Sequence, residues 1–137
     1  MKYWLVKSEP GAWSWDDQVR DGVTAWTGVR NYQASNFLKA MKLGDRCFFY
    51  HSVDEKRIVG IVEVVREAYP DPSADDPRWV CPDLKAICPV PDPVTLAAVK
   101  ADPRLAELPL IRQSRLSVMP IDDQTWGVIC ARGGVAP

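Results

Sequence analysis

The chain of 137 residues holds one histidine, four cysteines and a net charge of only −1, and each scarcity removes a class of function. A lone histidine, His51, set in a strand-like run beside Phe49, reads as a packed hydrogen-bonding group and not as a catalyst. Cys47, Cys81, Cys88 and Cys130 form no C-x-x-C pair and have no histidine at zinc spacing, so no metal is expected and buried free thiols are. The phosphate-cradling and nucleophile-elbow patterns G-x-x-x-x-G-K-[ST], G-x-G-x-x-G and G-x-S-x-G do not occur, and no cofactor is expected. A nearly neutral chain does not coat nucleic acid through a broad basic face, although one nucleotide held in a pocket needs only a few local cations. The longest apolar run, Val59 to Val65, is broken by Gly60 and Glu63 and falls far short of the ~20 residues that cross a bilayer. Lys7 stands where a signal peptide needs its apolar stretch. The expectation is a cytoplasmic protein with no membrane partner.

What remains suits one domain over residues 1–137. Its centre is the stretch W-T-G-V-R-N-Y-Q-A-S-N from Trp26 to Asn36. Ala34, Phe37, Leu38 and Met41 recur at helical spacing and predict a buried stripe, with Gly44 as the stop. Trp26 sits before that helix, where the chain turns at Gly28, near the amides of Asn31, Gln33, Asn36 and the earlier Gln18. A large indole among amides is a recognition surface; the plainer reading is an indole that plugs the core.

Lys2 to Lys7 reads as a strand ending at Ser8-Glu9-Pro10, because proline cannot continue a central ladder. Ser14 is placed as the cap of a short helix, with Asp17 as the capping-box acid and Gly22 as its end. Arg46 to Ser52 and Arg57 to Arg66 predict an antiparallel hairpin across the turn Val53–Lys56, with Gly60 marking a bulge or a close approach. Tyr69 to Pro82 reads as a proline-rich loop and Asp83 to Pro89 as a further strand. Thr95 and Asp102-Pro103 open two short helices, Leu110 to Gln113 reads as a loop, Leu116 to Met119 as a last strand, and Asp122 begins a C-terminal helix. Four or five strands with helices inserted between them predict a small α+β, barrel-like sheet.

Catalytic chemistry is thinly supplied. Lys7 and Glu9 share a strand face and, with Ser8, would be the parts of a small hydrolase; a surface ion pair of small value is the favoured reading of the two charges. The paired acids Asp16-Asp17, Asp75-Asp76 and Asp122-Asp123 fall at helix starts or in polar loops. Binding chemistry is richer, with six tryptophans in the chain. A base taken out of its stack needs aromatic faces together with amides and hydroxyls at its pairing edge. Trp26, Trp79, Asn31, Tyr32, Ser8, Ser52 and Ser117 offer that set, and Lys7, Arg30, Arg112 and Arg115 are the candidate phosphate ligands. Trp79 with its proline-rich loop would alternatively be a contact for another protein.

Several segments in order resemble the EVE-domain family: K-Y-W-L-V-K-S-E-P from Lys2, the Trp26–Asn36 stretch, F-Y-H-S from Phe49, and I-V-G-I-V-E-V from Ile58. A-Y-P-D-P from Ala68, P-R-W-V from Pro77 and P-L-I-R-Q-S-R-L-S-V from Pro109 extend the likeness through nearly the whole chain. The resemblance implies a PUA-like β-barrel of about five to six mostly antiparallel strands surrounded by helices, related to YTH domains. It implies a non-catalytic reader of a modified base, with modified cytosine in DNA as the expected ligand and RNA as the alternative polymer. By motif, Trp26 becomes a pocket wall, Asn31 and Tyr32 its rim, and Ser8 and Ser52 its floor. Arg115 and Ser117 then fall in the segment that closes the site.

Overall fold

In the computed structural model, which describes residues 1–136, the strands are β1 (Tyr3–Ser8), β2 (Val23–Ala25), β3 (Arg46–His51), β4 (Arg57–Pro70), β5 (Val80–Thr95) and β6 (Val118–Ile121). They form one sheet in the order β2-β5-β4-β3-β1-β6. Neighbours run antiparallel except β1 and β3, which pair in parallel from Tyr3 with Arg46 to Ser8 with His51. The ladder is a mixed sheet that ends at β2 and β6 and is not closed by hydrogen bonds between them. Around it lie α1 (Trp15–Asp21), α2 (Tyr32–Ala40), α3 (Leu96–Ala101), α4 (Pro109–Arg112) and α5 (Asp123–Gly133). The α+β class expected from the sequence is the class observed.

Strand β3 lies in the middle of the sheet because both of its faces are apolar: Cys47 through Tyr50 are all buried. Its hairpin with β4 forms as the alternation predicts, and the turn places Val53 and Lys56 at positive φ. Gly60 is a close approach and sits beside a register shift. A Cβ there would lie 2.4 Å from the Trp15 ring, so only glycine lets α1 rest on the sheet. Ser14 caps α1 with the full capping box, its hydroxyl accepting from Asp17 N–H while Asp17 accepts from Ser14 N–H.

Five local expectations need correction. Helix α2 stops at Met41, not at Gly44, because Met41 turns extended and the buried Asp45 carboxylate accepts the Lys42 N–H beyond it. That carboxylate also accepts from Lys2 N–H and the Trp4 indole, tying the turn to the start of β1. The proline-rich loop is shorter than Tyr69–Pro82, because β4 continues to Pro70 and β5 starts at Val80. Strand β5 then runs to Thr95 in spite of its prolines. Its register with β4 jumps from Pro89 opposite Gly60 to Val94 opposite Ile58, so Pro91 and Pro93 stand outside the ladder, where a missing N–H costs nothing. Pro109 opens the short helix α4 where a loop was expected, at the tolerated first position. The last strand covers Val118–Ile121 instead of Leu116–Met119.

His51 fulfils its structural reading. Its Nε2 accepts the Trp15 N–H at 2.9 Å and its Nδ1 lies 2.9 Å from Glu55 Oε1, which puts the proton on Nδ1 and pins α1 to the hairpin.

Candidate functional site

At the end of β1 the chain leaves the sheet, and Lys7, Ser8 and Glu9 open onto a cleft of about 540 Å³. Trp13 lines it from the segment before α1, the run Thr24–Arg30 lines it from β2 onward, and Ser117 lines it from the segment before β6. These pieces come from distant parts of the sequence. The Trp26 N–H donates to Pro82 O and the Lys7 N–H to Ser117 O, which fixes the cleft edges to the sheet.

Two tryptophans line this space. Trp26 is 7 % exposed and packs edge-on against Phe49 at 5.5 Å between ring centres, so it is both core and wall; the two readings of its sequence context are compatible. Trp13 is the wall that sequence reasoning missed. Its indole N–H donates to Gln18 Oε1, and Gln18, fully buried, donates in turn to the carbonyls of Gly22 and Leu84. Gln18 is therefore the support that orients Trp13, not part of a recognition surface. Tryptophan followed five residues later by a buried amide carries no pattern that a single sequence exposes.

The polar groups are held individually. The Ser8 hydroxyl donates to Trp13 O, and the Lys7 ammonium donates to Ser114 O at 2.9 Å. Half-burial pushes the Lys7 amine below its ordinary pKa. Because the serine and the lysine are spent on separate carbonyls, no nucleophile–base hydrogen bond joins them. Glu9, exposed at the rim, adds a carboxylate acceptor to the cleft. Two cations, one carboxylate, several hydroxyls and two tryptophans make a site suited to a flat, polar-edged ring.

The remaining candidates divide among neighbouring places. Arg30 lines the cleft, but its guanidinium is engaged by the buried carboxylate of Asp71 at 3.1 Å and by Ser73 Oγ. Burial would raise the Asp71 carboxyl, yet hydrogen bonds from Ser73, the Gly28 N–H and Arg30 outweigh it and hold the group at about 2. Asn31 caps α2, its Oδ1 accepting the Ala34 N–H. It lies in a second, polar recess of about 340 Å³ with Gln33, Arg112 and Arg115. Arg112 is held by Ala106 O and Glu107, while Arg115 is exposed and forms no ion pair among the described residues. Tyr32 and Trp79 stand together outside the cleft lining, with ring centres 5.1 Å apart. Ser52 donates its N–H to Ser8 O, but it is not among the residues lining the cleft.

Among the described residues no three His, Cys, Asp or Glu side chains gather as metal ligands. No described helix is long and apolar enough to cross a membrane.

Comparison with known proteins places this geometry in context. The family profile described as EVE domain matches residues 2–132. Human thymocyte nuclear protein 1 is 32 % identical, over 93 % of this chain and 72 % of its own. The solved human THYN1 protein, crystallised in complex with 5-methylcytosine-containing DNA, superposes with a TM-score of 0.90 at 33 % identity and covers 100 % of both chains. Atu2648 from Agrobacterium tumefaciens superposes with a TM-score of 0.97 at 47 % identity, covering 99 % of this chain and 95 % of that one. The YTH domain of Zygosaccharomyces rouxii MRB1, solved with N6-methyladenosine RNA, matches with a TM-score of 0.61 at 12 % identity over 96 % of this chain and 86 % of that one. That likeness is one of fold.

Proposed function

The chain belongs to the EVE-domain family, and from that premise we propose that it is a non-catalytic reader of a modified nucleobase, taken out of its stack into the Trp13–Trp26 cleft. Modified cytosine in DNA is the favoured ligand. The observation that carries this reading is the pairing of two indoles with a polar edge in one cleft, in a protein of the same family as a relative solved with 5-methylcytosine DNA.

The physical logic is stacking plus an edge. Base–aromatic stacking is worth about 1–3 kcal/mol per base and is blind to base identity. Discrimination then falls to the groups around the ring edge. Glu9 can accept from the exocyclic amine of cytosine, as acidic side chains do in direct readout. The Lys7 ammonium, which keeps two N–H donors beyond its bond to Ser114 O, would donate to the acceptor side, and the shape of the cleft would test for one added methyl, a distinction worth about 1–3 kcal/mol. Arg115 in the polar recess is the cation best placed to meet a flanking phosphate, with Arg112 partly spent on Glu107.

The separate engagement of Ser8 and Lys7 supports binding over the hydrolase reading. The decisive experiment is fluorescence anisotropy with short DNA and RNA carrying cytosine, 5-methylcytosine, 5-hydroxymethylcytosine or N6-methyladenine. Binding selective for one modified base and lost in Trp13→Ala supports the reading and identifies the base. A folded protein that binds none of them refutes it.

A further inference from the structure

Outside the cleft, the first turn of α2 and the end of the 71–79 loop build a second aromatic feature. Tyr32 is the first residue of α2 and is 63 % exposed, yet it is held on every polar and apolar handle it has. Its hydroxyl accepts from the Arg78 guanidinium, and its ring leans on Trp79 at 5.1 Å and 35°. Trp79 has the Arg30 guanidinium 6.0 Å from its ring centre, and Arg78 lies 5.9 Å from that of Tyr32. The loop that delivers Trp79 is itself anchored by Asp71, whose backbone N–H donates to Trp79 O. The result is an aromatic surface, exposed at Tyr32 and half-buried at Trp79, whose rings are braced by their neighbours, so a flat ligand stacking on it finds a preorganised face.

Two relations say which flat ligand. The first is continuity. Arg30 lines the base cleft and also flanks Trp79, and Tyr32 follows it by two residues, at most about 7 Å of chain. That is the reach of the next nucleotide or two along a strand. The second is charge. Arg30 and Arg78 are already paired with Asp71 and Asp76, so the surface offers rings braced by neutralised guanidiniums and not free phosphate ligands.

We infer that the Tyr32–Trp79 surface is a second binding site, a stacking platform for an unpaired nucleobase adjacent to the one in the cleft. This rests on the nucleobase reading of the cleft. It adds that the preferred ligand has at least one unstacked flanking nucleotide, as in single-stranded or locally opened nucleic acid. Because a π-face is common to every base and the cations are paired, the flanking position tolerates any base and responds weakly to salt.

The test uses the whole protein with three ligands carrying the preferred modified base: the free nucleoside, a single-stranded 9-mer with it at the centre, and the same 9-mer with abasic flanking positions. Affinity is measured by titration, and the Trp79 indole N–H resonance is followed by NMR. The wild type binds the 9-mer about tenfold more tightly than the abasic 9-mer, in line with the loss of one stacked base. Tyr32→Ala removes that difference and leaves nucleoside affinity unchanged, while Tyr32→Phe, which keeps the ring, retains it. The Trp79 signal shifts with the 9-mer and not with the nucleoside. Equal affinity of wild type and Tyr32→Ala for the 9-mer overturns this inference alone, as it would if the surface served a protein partner. Absence of binding to all three ligands by the folded wild type overturns the cleft reading and this one together.

Discussion

Arg30 Nη1 lies 3.1 Å from Asp71 Oδ2, and through this pair the loop after β4 holds the turn that carries Trp26. The same carboxylate oxygen accepts the N–H of Gly28, which sits at φ 87, so the cleft wall and the proline-rich loop share one anchor.

That anchor makes stability acid-sensitive in a defined window. The folded Asp71 carboxyl lies at about 2, below its ordinary value near 3.9, so the stabilisation is complete above pH ~4 and is lost as pH falls through ~2. Asp71→Asn is expected to lower unfolding free energy by roughly 2 kcal/mol at neutral pH, a deficit that shrinks toward zero near pH 2. Urea denaturation of both proteins from pH 7 down to pH 2 checks this; a deficit independent of pH contradicts it.

Gly60→Ala forces a methyl group into the Trp15 ring at 2.4 Å. Overpacking of this kind costs about 1–3 kcal/mol. Trp15 packs on Phe49, and Phe49 on Trp26, so the strain is expected to reach the cleft and weaken ligand binding as well. A chemical-denaturation midpoint together with a binding curve measures both effects.

Asp45→Ala removes the acceptor shared by Lys2 N–H, Lys42 N–H and the buried Trp4 indole. Leaving buried donors unpaired costs about 1–3 kcal/mol each, and solvent can reach the two backbone groups, so a total loss of about 3 kcal/mol is expected. The thermal midpoint should fall while base affinity of the folded protein stays unchanged, since Asp45 does not line the cleft.

Trp13→Ala separates binding from folding better than a change at Trp26 would. Trp26 is buried against Phe49, and its truncation is expected to cost about 3–5 kcal/mol of stability. Trp13 is only partly buried, so its loss should remove about 1–3 kcal/mol of base affinity with a smaller stability change. Binding isotherms paired with melting curves distinguish the two; unchanged affinity in a folded Trp13→Ala protein counts against the cleft.

Arg115→Ala should weaken binding to every nucleic-acid sequence about equally and reduce the log–log salt slope by about 1, as expected for one phosphate contact. The wild-type slope itself should correspond to only a few phosphates, in keeping with a net charge of −1. Affinity measured across a salt series settles the number.

The local elements were legible because their causes are local. The Ser14 capping box, the Thr95 and Asp122 caps and the β3–β4 hairpin all follow from residues a few positions apart. Where the reading failed the cause was not local: the strand expected to end at Pro89 runs on to Thr95 because its ladder with β4 passes over Pro91 and Pro93. The assembly of the site was not legible. Sequence proximity grouped Asn31, Tyr32 and Gln18 with Trp26, yet Asn31 is a cap in the next recess, Tyr32 belongs to a separate aromatic surface and Gln18 is a buried brace.

The sequence by itself determined the α+β class, the family likeness, the turn-and-cap positions and the supply of aromatic and amide groups from which a site is made. Only the tertiary structure decided that Trp13 joins Trp26, that Lys7 and Ser8 point at different carbonyls, and that Arg30 is committed to Asp71. The physical reason is range. Caps, turns and periodicity are set by interactions within a few residues, whereas a cleft is set by which strand ends meet. Those meetings follow from the parallel pairing of β1 with β3 and the return of β6 beside β1, contacts separated by scores of residues that no short stretch of chain encodes.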